Sequence, residues 1–60
     1  MAIFQILKDV AGEYRWHLRA DNNQIIATGG ESYKAKADCE HGIELVKQLA
    51  PEANVDDQTK

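Results

Sequence analysis

The stretch Gly12-Glu13-Tyr14-Arg15-Trp16-His17-Leu18-Arg19-Ala20, GEYRWHLRA, decides the fold. From Glu13 onward it alternates without a break. Tyr14, Trp16, Leu18 and Ala20 form one set; Glu13, Arg15, His17 and Arg19 form the other. A period of two is the mark of a β-strand, whose successive side chains leave opposite faces. The first set is the obvious core face. The second is either the solvated back of a sheet or a surface that meets something.

Short strands flank this one. Ile3 to Lys8 (IFQILK) is an apolar run of strand length, and Asp9-Val10-Ala11-Gly12 after it carries turn chemistry. Gly12 can take the left-handed conformation that closes a three-residue loop over Val10-Ala11-Gly12. On the other side, Asn22-Asn23 reads as a two-residue turn, because asparagine tolerates positive φ. Gln24 to Thr28 (QIIAT) is then a third strand, ended by Gly29-Gly30. The registers agree with one another. The first loop pairs Ile6 with Trp16 and Phe4 with Leu18; the second pairs Leu18 with Ala27 and Ala20 with Ile25. Both hairpins then put their apolar partners on the Trp16 face, and a slip of one residue in either would turn a whole strand over.

Beyond the glycines the period changes. Ala35, Cys39, Gly42, Ile43, Val46, Leu49 and Ala50 mark one face of an α-helix, with Glu40, Glu44 and Lys47 opposite. Pro51 stops it, since the residue before proline is pushed out of the α region. Gly42 in mid-helix costs about 1 kcal/mol relative to alanine, which suggests close approach to a bulky group, with Trp16 the natural candidate. The fold class is therefore α+β: a three-stranded antiparallel meander followed by one helix on one face. Residues 1–51 are expected to form the single domain and 52–60 a flexible polar tail. The expected core is Phe4, Ile6, Trp16, Leu18, Ile25, Ala27, Cys39, Ile43 and Val46.

Composition narrows the function. Sixty residues hide only about 60% of the surface of the unfolded chain, so small folds often lean on a disulfide, a metal or a second subunit. One cysteine, Cys39, excludes an internal disulfide and any CxxC site, and His17 and His41 lie too far apart in sequence to set a metal-ligand spacing. No metal, cofactor or small-molecule ligand is expected. A second subunit remains, so a homodimer is expected to complete the fold. A net charge of −3 argues against coating nucleic acid by bulk charge. No secretion signal and no membrane-spanning run is read, which fits a reducing cytoplasm.

The strings IFQILKD, AGEYRWHLRA, QIIATGGESY and HGIELVKQLAP resemble the YegP-like family of small bacterial proteins, a domain of unknown function. The likeness covers about residues 3 to 53. Members occur as single copies or tandem repeats, which implies that two units pack together, and that a single-copy chain makes the same pairing between subunits. The chain departs from the family's habits at three places. It has Asn22-Asn23 where Asn-Gly is common, Lys34-Ala35 where serines precede the helix, and His41 where asparagine is usual. The helix cap is then expected at Ser32, or weaker. The resemblance implies architecture and supplies no catalytic residue.

The candidate interaction face is Ile3, Arg15, His17, Arg19 and Ile26. On the registers above, Ile3, Arg19 and Ile26 share one cross-strand row and Gln5, His17 and Thr28 the next, with Leu7 on the same face. It reads as a half-solvated back with Glu13 pairing Arg15, as a dimer or partner surface, or as a weak anion or nucleic-acid site. Nucleic acid is disfavoured because Phe4 and Trp16 point to the helix, leaving only Tyr14 near the rim to stack on bases. Gly29-Gly30-Glu31-Ser32 before the helix invites a phosphate, but lacks the spacing of either phosphate-loop motif. Cys39 in the apolar stripe has no histidine on its side to activate it. No catalytic constellation is found, and the expected function is that of a non-enzymatic homodimeric module.

Overall fold

In a computed structural model, which describes residues 1–59, the chain forms β1 (Ile3–Lys8), β2 (Tyr14–Arg19), β3 (Ile25–Thr28) and α1 (Lys36–Leu49). A 3₁₀ turn, Ala50–Glu52, carries Pro51 past the helix end. The strands lie in the order β1-β2-β3, antiparallel throughout. Lys60, the last residue of the expected tail, lies outside the described residues.

The first hairpin has the expected register, Phe4 opposite Leu18 and Ile6 opposite Trp16. Asp9 N–H donates to the Glu13 carbonyl and Gly12 N–H to the Asp9 carbonyl, both at 2.9 Å. Gly12 sits at φ 80. The second hairpin repeats this geometry and so corrects the expected two-residue turn. Ala20 N–H donates to Gln24 O at 2.8 Å and Asn23 N–H to Ala20 O at 2.9 Å, making Asp21-Asn22-Asn23 a three-residue loop. Asn23, at φ 71, holds the left-handed position.

The extra loop residue is returned in β3. Leu18 faces Ala27 as expected, but Arg19, not Ala20, faces Ile25, with an irregularity between Leu18 and Arg19. Ile26 is thus the bulged residue. Directly opposed residues share a face, so Ile25 joins Arg19 on the back of the sheet instead of the core, and it is 48% exposed. Ala27 keeps its core-side register yet is also exposed, because α1 packs on β2 and β1 and leaves β3 uncovered.

These loops carry a prediction. A Cβ on Gly12 would meet nothing within 4 Å, so Gly12→Ala is charged only the left-handed penalty of about 1–2 kcal/mol. Asn23→Gly relieves a smaller version of the same strain and is expected to raise the midpoint of thermal unfolding. The two shifts should have opposite signs.

The buried residues are Trp16, Cys39 and Ile43, with Phe4, Ile6, Tyr14, Leu18, Tyr33 and Val46 packed around them. Phe4 meets Trp16 edge-on, centroids 5.5 Å apart at 69°, a favoured aromatic geometry. Two close approaches let α1 and the β3 exit come near. A Cβ on Gly29 would lie 2.6 Å from Trp16 Nε1, and one on Gly42 would lie 2.6 Å from the Tyr33 hydroxyl. The expected close approach at Gly42 is thus mainly to Tyr33, with Trp16 Nε1 at ordinary contact distance, 3.8 Å, while Gly29 is the glycine pressed on Trp16. Tyr33 reaches this place because the chain rejoins β2 after β3. Tyr14 N–H donates to Tyr33 O at 2.7 Å and Tyr33 N–H to Tyr14 O at 2.8 Å.

Candidate interaction face

The back of the sheet is set by alternation on β2. Arg15, His17 and Arg19 leave it on the side away from Trp16, facing Leu7, Gln5 and Ile3 of β1 and, from β3, Thr28 and Ile25 beside His17 and Arg19. Ile26, the bulge residue next to Ala27, has no cross-strand partner and is 59% exposed. The register thus puts Ile3, Arg15, His17 and Arg19 on one face and corrects the expected row, since Ile25 and not Ile26 stands opposite Arg19. The bulge that places it there leaves no signature in the sequence.

Gln5 organises the centre. Its Oε1 accepts from Arg19 Nε at 2.8 Å and lies 2.7 Å from His17 Nε2. Arginine only donates, so the shared atom is the amide oxygen, and His17 must also donate, with its proton on Nε2. Arg19 Nη1 donates further to the Asn23 carbonyl at 2.6 Å, tying the face to the second loop.

Asp9 fixes the other end. Its Oδ1 accepts from Ala11 N–H and Glu13 N–H, each at 3.0 Å, and its Oδ2 accepts from Arg15 Nε at 3.1 Å. The Glu13 amide above all, then the Arg15 guanidinium, holds the Asp9 carboxyl below the usual carboxylate range. A lowered native pKa stabilises the fold above the unfolded value of about 3.9 and loses that contribution as pH falls through the native one. An NMR titration of Asp9 should therefore show a midpoint below that of an unfolded-chain peptide, and Arg15→Gln should move it partway back. Glu13 does not pair with Arg15, as one reading of this face had it. It accepts the Ser32 hydroxyl at 2.6 Å.

That bond also removes Ser32 as a helix cap. Ala35 takes the cap position with no side-chain bond. The Gly29–Ser32 loop is accordingly occupied with packing against Trp16 and bonding to Glu13. Cys39 is wholly buried, and burial, then Glu40, pushes its thiol pKa up. Only the thiolate reacts, so thiol labelling of the native protein should wait on unfolding. Labelling as fast as that of a free thiol would contradict this burial.

This geometry defines a class: a two-layer α+β domain with a meander, one covering helix and an ordered, uncovered sheet face. Residues 9–57 match the family model described as a domain of unknown function, DUF1508, and the chain belongs to that family. It is 52% identical over 44 residues to UPF0339 protein NMB1088 of Neisseria meningitidis serogroup B, covering 73% of this chain and 77% of that one. The solution structure of a protein from Haloferax volcanii superposes with a TM-score of 0.88 at 45% identity, covering 93% of both chains. A UPF0339 protein of Stutzerimonas stutzeri is 47% identical over 49 residues, which make up 82% of this chain and only 43% of that protein. The resemblance read from the sequence is borne out, and the family is one of unknown function. No catalytic activity is indicated, and among the described residues no helix is long and apolar enough to cross a membrane.

Proposed function

We propose that this chain is a non-enzymatic, cytoplasmic binding module that works as a homodimer, with residues 1–51 as its folded unit and 52–60 as a flexible tail. The observation that carries the reading is β3. All four of its residues are exposed, the helix does not cover it, and as an edge strand it offers unpaired backbone groups. A second copy against this side would bury apolar surface that one chain leaves open. The Stutzerimonas relative, more than twice the length of the matched segment, has room for two such units in one chain. Against catalysis stand Cys39, shut in the core, and His17, engaged with Gln5 on the opposite side of the sheet.

Dimerisation links stability to concentration. The thermal midpoint is expected to rise steadily with protein concentration over the micromolar to millimolar range. A midpoint that stays fixed over that range would overturn the homodimer.

The weak anion or nucleic-acid reading of Arg15, His17 and Arg19 gains no support. Phe4 and Trp16 lie in the core, and Tyr14 carries the Lys8 ammonium 5.1 Å from its ring centroid. The face therefore lacks the bare aromatic platform on which bases stack.

A further inference from the structure

We draw no further inference here: the strongest candidate, the uncovered back of the sheet with Ile3, Leu7, Arg15 and Arg19, holds the carboxylates of Asp9 and Glu13 beside its arginines and merges on the β3 side with the surface assigned to the second copy, so nothing in the structure shows what else covers it.

Discussion

Trp16→Ala is expected to unfold this domain at room temperature or leave it barely folded. The indole is 7% exposed and stands among Phe4, Cys39, Ile43 and the Gly29 backbone. Removing a buried tryptophan costs about 3–5 kcal/mol. A domain of this length holds only about 3–9 kcal/mol in total. Circular dichroism of the variant should show lost cooperativity or a large drop in midpoint. A midpoint within a few degrees of the parent would mean that the core lies elsewhere.

Gly29→Ala is the second large effect, and it tests the same packing from the other side. The new Cβ would lie 2.6 Å from Trp16 Nε1 and 2.8 Å from Cε2. These are atoms of a rigid ring held edge-on by Phe4, so the backbone or the indole must move. Overpacking of this kind costs about 1–3 kcal/mol. Gly42→Ala is the internal control. Its Cβ would meet the Tyr33 hydroxyl at 2.6 Å, but that is the far end of a side chain, and alanine regains about 1 kcal/mol of helix propensity. Gly29→Ala should therefore be clearly the more destabilising of the two in denaturant titration. The reverse order would mean that Gly42, not Gly29, sets the helix-to-sheet distance.

The contrast between these glycines also shows what the sequence made legible. Alternation in GEYRWHLRA and the helical stripe from Cys39 to Val46 specify element type, order and the register of the first hairpin, because burial on one face punishes any slip. Loop length at Asp21–Asn23 was less legible, since Asn22-Asn23 suits a two-residue turn and a three-residue one about equally. That single residue moved Ile25 across the sheet. Tyr33 lies outside both periodic patterns, so its place against Gly42 depends on a return to β2 that no local pattern encodes. The candidate face was legible as a row of residues. Its order was not, because Gln5 bridging His17 and Arg19 depends on side-chain geometry across two strands.

The most direct test of the account is the solution mass by light scattering over a concentration series, on the parent chain and on Arg15→Glu/Arg19→Glu. The account predicts twice the 6.7 kDa chain mass for both, because the second copy closes the β3 side and the arginine face stays free. A mass of one chain at every concentration would contradict the homodimer. A parent dimer that the double substitution splits would place the arginines in the interface between copies and withdraw the face from any other partner.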